Sequence, residues 1–381
     1  MSSKKTVYFL STLNTNIGDE FIRDGLISVI SSFYEPGAWT WEVFNKHQPW
    51  TFYSPLHPAR LAGIVDRIFH RGWGKGLNIL SHLPGNKFFQ ADLVIQSGTP
   101  VIWDGAYRSE WAVPFWKCFA QKNAGKIPLL NLAGGSCYPW SSPPEKLKDP
   151  DRAFAKTMVQ NADETTVRDP IAQKLLSEAS GKNITLLPCS AFLAGQFHAD
   201  VTEPDGRILL NVMPIGGHFD FLKQIDPNAW LNTVKETIET IPDNYRIEFV
   251  CHSDDEVAFA AKHWPHHPIH FPKDPAAYFK LCAGATAGIV NRLHAAVGLS
   301  GLGIPCIAVG TDTRMFMTQQ LGIPTLFAPE ATTVKLQEEL TQLLAQREQR
   351  SQELQSKREK LFHQYQNLLR PYFEDKGPNT P

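Results

Sequence analysis

The sequence predicts an α/β protein of two tandem doubly wound, Rossmann-like domains followed by an amphipathic C-terminal helix. Three observations predict it. Short apolar runs alternate with helix-length amphipathic segments from residue 6 to residue 309, the pattern of parallel α/β layers. A polar stretch containing Pro and Gly, residues 196–206, splits that alternation in two. Beyond residue 330, leucines recur at helical spacing in a charged background.

The elements follow in order. In residues 1–195, strands are expected near 6–12, 40–45, 92–97, 128–133, 164–168 and 184–189, and helices near 19–33, 106–123, 151–161 and 170–180. Residues 46–90, rich in Trp, His, Pro and Gly, read as a partly helical insertion forming one wall of a cleft. After the linker 196–206, residues 207–330 run strand 207–213, helix 226–240, strand 246–251, helices 254–263 and 275–283, strand 286–290, helix 293–301 and strand 305–309. In residues 331–381, Leu336, Leu340 and Leu343, and after a charged middle Leu354, Leu361, Tyr365 and Leu368, follow spacings of three, four or seven. That stripe calls for a long amphipathic helix, whole or broken, laid on the protein's own surface; a coiled-coil partner is the other use of such a stripe.

Composition narrows the function classes. The chain of 381 residues is 43% hydrophobic and 20% charged with a net charge of −1, so no global basic field recruits nucleic acid or an anionic membrane. Any anion site must be local. The six cysteines are far apart with no Cys-x-x-Cys, as expected of reduced, buried thiols. No apolar run reaches the length of a membrane span, and the apolar run after Lys5 is too short for a signal anchor, so a soluble cytoplasmic protein is expected.

The chemistry concentrates in residues 287–310. An apolar strand ends in Asn291-Arg292-Leu293-His294 and passes into a small-residue helix, a Gly-Ile-Pro break and a second apolar strand. In open α/β sheets ligands sit at the carboxyl ends of strands, where a helix N-terminus favours an anion. An arginine that grips phosphate or carboxylate, two residues from an imidazole, points to acid–base chemistry on an anionic substrate. A surface cation beside a capping histidine is the bland alternative.

Four more segments bear on that choice: Asn16-Ile17-Gly18-Asp19 after the first strand, Ser97-Gly98-Thr99 with Asp104 downstream, Val167-Arg168-Asp169, and His252-Ser253-Asp254-Asp255. In this order, together with Arg292-Leu293-His294, they resemble the polysaccharide pyruvyl transferase family over about residues 6–330. The resemblance implies a GT-B-like architecture, with the site in the cleft between an acceptor-side N-terminal domain and a donor-side C-terminal domain. It also implies transfer of a pyruvyl group from phosphoenolpyruvate, a co-substrate and not a bound cofactor, to a sugar or glycan acceptor, free or lipid-linked, leaving a ketal. Ser97-Gly98-Thr99 stands where the family's turn usually carries three glycines, and the two extra side chains narrow the approach. Asp312-Thr313-Arg314 stands where relatives tend to carry Asp-x-Lys, which keeps the cation and changes its shape.

That chemistry needs cations for the donor's phosphate and carboxylate, an acid for its methylene carbon and a base for the sugar hydroxyls. Arg168 and Arg292 are the expected cations, unless Arg168 merely pairs with Asp169 or Glu164. His294 is the expected acid, being the side chain that titrates near neutral pH. Asp104 is expected to take a sugar proton or orient the acceptor. Asn16, Gly18, His252, Leu293 and Arg314 are candidate substrate contacts. Asp19 is a further one, although an Asp there commonly caps a helix, as Asp254 and Asp255 are expected to do.

No metal is expected, because His263, His266, His267 and His270 fall in a Pro-containing loop stretch. The rivals are a nucleotide-sugar glycosyltransferase on the same architecture and a non-catalytic glycan binder using the tryptophans of residues 39–116. Nothing in the sequence excludes a homo-oligomer.

Overall fold

The structure, a computed structural model, describes residues 4–13, 16–33, 37–69, 74–98, 100–200 and 202–373. Thr99, which belongs to a motif above, lies outside these residues, as do Asn14, Thr15, Trp73 and Val201.

Two parallel sheets form the frame. The first comprises β1 (Lys5–Ser11), β2 (Trp39–Asn45), β3 (Leu93–Ser97), β4 (Pro100–Ile102), β5 (Leu129–Ser136), β6 (Glu164–Val167) and β7 (Thr185–Leu186), in the order β2-β1-β3-β5-β6-β7 with β4 against β5. The second comprises β8 (Arg207–Asn211), β9 (Arg246–Val250), β10 (Ile269–His270), β11 (Ala287–Val290), β12 (Cys306–Gly310) and β13 (Thr325–Phe327), in the order β10-β9-β8-β11-β12-β13. In each sheet the strand order reverses once beside the first strand, between β1 and β3 and between β8 and β11. Such switch points open a crevice at the strands' carboxyl ends.

Two helices bring the crevices together. Ile17–Ile30 leaves the end of β1, and Leu293–Gly301 leaves the end of β11. All nine residues of the second helix are buried, as befits a segment apolar on every side. Small residues let it pass close to its neighbours: a Cβ on Gly298 would lie 3.2 Å from the Phe21 ring, and one on Gly301 2.5 Å from the Phe192 carbonyl. Phe21 in turn packs on Phe279 at 4.6 Å and Tyr278 at 4.8 Å, so one apolar core runs continuously from the first sheet to the second. The two helix N-termini therefore meet in the cleft.

Several expected elements differ in detail. Residues 106–123 form no single α-helix: a 3₁₀ turn at Ala106–Arg108 precedes a π-helix at Ala112–Ala120. Near 184–189 only Thr185–Leu186 pair as strand, because Pro188 ends the ladder and Ser190–Leu193 turn to pack under the helix Ile17–Ile30. The C-terminal stripe breaks at Gln346 into Thr333–Ala345 and Arg347–Phe373. The first piece buries Leu336, Leu340 and Leu343 on the second domain. The second crosses to the first domain, where Tyr365 donates to the Pro188 carbonyl at 2.9 Å and Phe373 stacks on Phe33. All six cysteines are free and buried.

Candidate active site

Arg168 follows the last residue of β6 and is buried to 1% exposure. β5 shifts register between Asn131 and Gly134, and Gly135 leaves room for the guanidinium; a Cβ there would lie 2.6 Å from Arg168 Nε. Asp169 does not pair with it. Its carboxylate caps the helix Pro170–Ser180 at Ala172 N (2.8 Å) and accepts from Ser136 N and Oγ, both at 2.7 Å. Arg168 instead directs Nη1 at His294 Nε2, 3.2 Å away, and Nε has no hydrogen-bond partner among the described residues. No carboxylate among the described residues lies within ion-pair distance of it.

His294 is the second residue of the buried helix Leu293–Gly301. Its ring lies over Gly18, where any Cβ would overlap it, and its Nδ1 faces Asp19 Oδ1 at 3.5 Å. A guanidinium has no acceptor, so Nε2 must accept from Arg168 and the ring proton sits on Nδ1, toward Asp19. Burial and the charges of Arg168, Arg314 and Arg292 hold His294 well below the usual histidine range. The expected near-neutral titration is thus corrected: the ring rests neutral because it is buried among cations. Burial also raises the Asp19 carboxyl above the usual range, against the pull of Lys46, Arg168, Arg314 and Arg292.

Asp19 is not the helix cap. Asn16 caps through Oδ1, which accepts from Gly18 N at 3.0 Å, leaving Asp19 free to face the cleft. The same oxygen accepts from His252 Nδ1 at 3.2 Å, so the first loop of one domain is tied to the end of β9 in the other. His252 Nε2 is buried without a hydrogen-bond partner among the described residues, and burial pushes the ring down to about 4.

Arg292 is less free than expected. Nε donates to Glu256 Oε1 at 2.6 Å and Nη2 lies 2.5 Å from the same oxygen, while Nη1 points at His218 Nδ1, 3.3 Å away. Glu256, 1% exposed, also accepts at Oε2 from Asn211 Nδ2 and His252 N, each at 2.8 Å. A fully bonded carboxylate thus fixes the arginine at the mouth of the second switch point, where Arg292 N donates to Asn211 Oδ1 at 2.9 Å. Asp254 and Asp255 do not cap their helix; Ser253 does, accepting from Glu256 N at 3.4 Å. Asn291 holds the adjoining loop by donating to Gly216 O (3.0 Å) and accepting from Met213 N (2.8 Å).

Arg314 is held by its own strand end. Nε and Nη2 meet both oxygens of buried Asp312 at 2.7 and 2.5 Å, and the guanidinium lies 4.9 Å over the Phe219 ring. Between them Thr313 reaches the first domain, its Oγ1 2.8 Å from Ser136 Oγ and accepting from Tyr138 N at 3.0 Å. Leu293 opens the buried helix, so its backbone N–H is among those with no partner inside the helix at that N-terminus. Asp104 stands apart. It is exposed on the turn after β4, and no hydrogen bond or ion pair joins it to the cluster among the described residues.

Reasoning from sequence missed three groups. Lys46, one residue past β2, is buried with its amine 4.6 Å over the Trp111 ring, and burial lowers it to about 8 against the pull of Asp19 and Glu110. Its position at a strand's carboxyl end was the available signal. His218 follows two glycines, and partial burial with the charges of Arg314 and Arg292 holds it near 4. Glu256 sits three residues after Ser253, in the spacing of a capping box, and its carboxylate goes to Arg292 and His252 N instead. Among the described residues, no group of three or more His, Cys, Asp or Glu side chains is arranged to hold a metal. His270 lies 3.1 Å from Glu248, while His263 packs on Phe259.

Solved structures with the same architecture span nearly the whole chain. A putative UDP-N-acetylglucosamine 2-epimerase from Listeria monocytogenes is 15% identical, with a TM-score of 0.56 over 93% of this chain and 91% of that one. S. aureus MnaA, solved with UDP, is 12% identical, with a TM-score of 0.55 over 97% and 92%. The trehalose-6-phosphate synthase OtsA is 11% identical, with a TM-score of 0.53 over 98% and 100%. These likenesses establish the GT-B-like fold of two parallel-sheet domains. No curated protein matches the sequence. The segments that build the cleft, from the loop after β1 to Asp312-Thr313, fall within residues 12–313, which match the family model for polysaccharide pyruvyl transferases; the chain belongs to that family of transferases.

Proposed function

We propose that the protein transfers the pyruvyl group of phosphoenolpyruvate to two hydroxyls of a glycan sugar, forming a ketal and releasing phosphate. The observation that carries this reading is Arg168, a buried guanidinium facing a neutral imidazole, with Nε unpartnered and no carboxylate within ion-pair distance among the described residues, Asp19 and Asp169 acting on it only from farther off. A buried charge left uncompensated is costly, and an anionic donor offsets that cost. The N-terminus of the helix Leu293–Gly301 supplies further positive potential for a phosphate or carboxylate, and Arg292 and Arg314, each already paired with a carboxylate, offer their remaining N–H groups.

The resting state of His294 gives the order of events. Burial first and the charge of Arg168 second keep the imidazole deprotonated; an anion at Arg168 offsets the second, so the ring takes up a proton with donor present, and Asp19 stabilises the imidazolium through Nδ1. His294 then delivers a proton from Nε2 to the donor methylene, leaving an oxocarbenium-like carbon that a sugar hydroxyl attacks. That hydroxyl's proton passes to a base. Asp104 is our candidate, with Lys46 nearer the cluster. The carbon–oxygen bond to phosphate breaks, the second hydroxyl adds to the same carbon, and its proton leaves with phosphate.

A nucleotide-sugar donor is the rival, favoured by fold neighbours such as MnaA solved with UDP. Thermal shift separates the two. Phosphoenolpyruvate should raise the unfolding temperature and UDP-sugars should not, and phosphate release should follow with a competent glycoside. The reverse ranking, with sugar transfer from a nucleotide, would overturn the proposal.

A further inference from the structure

We propose that the helices Pro58–Ile68 and Lys75–Leu80 form a face that docks on an anionic lipid bilayer. This goes beyond the donor chemistry above and does not rest on it.

The helix is turned inside out. Ala59 and Gly63 face the protein, and a Cβ on Gly63 would lie 2.7 Å from Trp50 Cβ. The large apolar residues Leu61, Ile64, Val65 and Ile68, spaced i, i+3, i+4 and i+7, form the opposite stripe and are 52%, 37%, 44% and 64% exposed. The helix Lys75–Leu80 adds Ile79 at 72% exposure. An amphipathic helix of a soluble domain buries such a stripe, and exposed apolar surface gathered in one place marks a partner.

Charge says which partner. Exposed Lys75 and Arg67 and half-buried Arg60 flank the stripe, Arg67 lying 5.3 Å over the Trp50 ring and Arg60 Nη1 donating to the Tyr53 carbonyl at 3.2 Å, in a chain whose net charge is −1. The one acid within the helix, Asp66, is turned inward to the next helix, accepting from Gly76 N at 3.2 Å and Leu77 N at 3.4 Å. What faces outward is apolar surface with basic residues beside it, the composition of a helix that lies in a membrane interface. A symmetric contact between two copies would bring these like charges together. The face needs no spanning segment, and among the described residues no helix is long and apolar enough to cross a membrane.

The test is flotation of the full chain with vesicles of equal parts phosphatidylglycerol and phosphatidylcholine, and with phosphatidylcholine alone. The wild type should float with the anionic vesicles, less with the neutral ones, and less as salt rises. The double variant Ile64→Glu, Ile68→Glu should lose roughly 10-fold or more of the partitioning, since charge replaces the inserted apolar face. It should keep the wild-type unfolding temperature, because both side chains are exposed; a variant that unfolds contradicts the exposure on which the proposal stands. Wild type that stays with the soluble fraction, or a double variant that floats as well as wild type, overturns it. So does light scattering that finds a dimer which the double variant dissolves without any vesicle binding. Flotation is read without donor or acceptor, so failure of the transfer reaction leaves this result standing.

Discussion

Arg168 Nη1 and His294 Nε2 lie 3.2 Å apart across the domain seam, and the donor-only guanidinium fixes which ring nitrogen is bare. Nitrogen-edited NMR of the His294 ring should therefore find Nε2 unprotonated at neutral pH, and a pKa that rises when phosphoenolpyruvate is added. An imidazolium already present without donor would remove the basis for donor-gated acid chemistry.

Arg168 carries its charge at the expense of the fold. Arg168→Met should leave the unfolding temperature unchanged or higher, because it removes a buried charge without a carboxylate partner. The same change should weaken donor binding by ~1.5–3 kcal/mol, the value of a hydrogen bond to a charged group. Calorimetric titration with phosphoenolpyruvate reads the second effect, and undiminished affinity would discard Arg168 as the donor's anchor.

Gly18 is needed for space, not for backbone freedom. Gly18→Ala should push the His294 ring from its place and lower turnover by ~10²-fold or more, within the range for loss of a positioned acid. Steady-state phosphate release with saturating donor and acceptor measures this. Turnover close to wild type would mean that the ring need not stay where it is.

Asp19 and His252 shift in opposite senses. His252, unfolded near 6.5, is held at about 4 in the folded protein, so its contribution is complete above pH 6.5 and is lost as pH falls toward 4. For a ring this buried the loss amounts to ~3 kcal/mol. Urea midpoints should fall between about pH 7 and pH 5, and fall less in His252→Asn. An equal fall in both proteins would assign the acid sensitivity elsewhere.

The Asp19 carboxyl is raised by burial, so whatever it contributes is present below its unfolded pKa and is lost as pH rises through the folded one. At neutral pH the charge opposes folding. Asp19→Asn should raise the neutral-pH unfolding temperature while lowering phosphate release by ~10²-fold or more, the usual exchange of stability for function at a site. A variant less stable than wild type would show that the carboxylate serves the fold.

Much of the frame was legible along the chain. Alternating runs located most of the strands and the main helices, because burial on both faces of a parallel sheet leaves a continuous apolar signature. The Arg292-Leu293-His294 junction announced itself for the same reason, with polar side chains placed where an apolar strand must end. Residues 106–123 misled, since an apolar run with helical spacing does not distinguish an α-helix from the π-helix that three-dimensional packing selects. Partner choice was not legible either. Whether Arg168 pairs with Asp169 or reaches His294, and which carboxylate holds Arg292, depend on groups distant in sequence: Arg168 and His294 are 126 residues apart, and Arg292 and Glu256 are 36 apart. The sequence by itself determined which segments carry charge to the strand ends. Only the tertiary structure decided which of those charges are balanced, because desolvation and Coulomb attraction are set by distance in space and not by order along the chain.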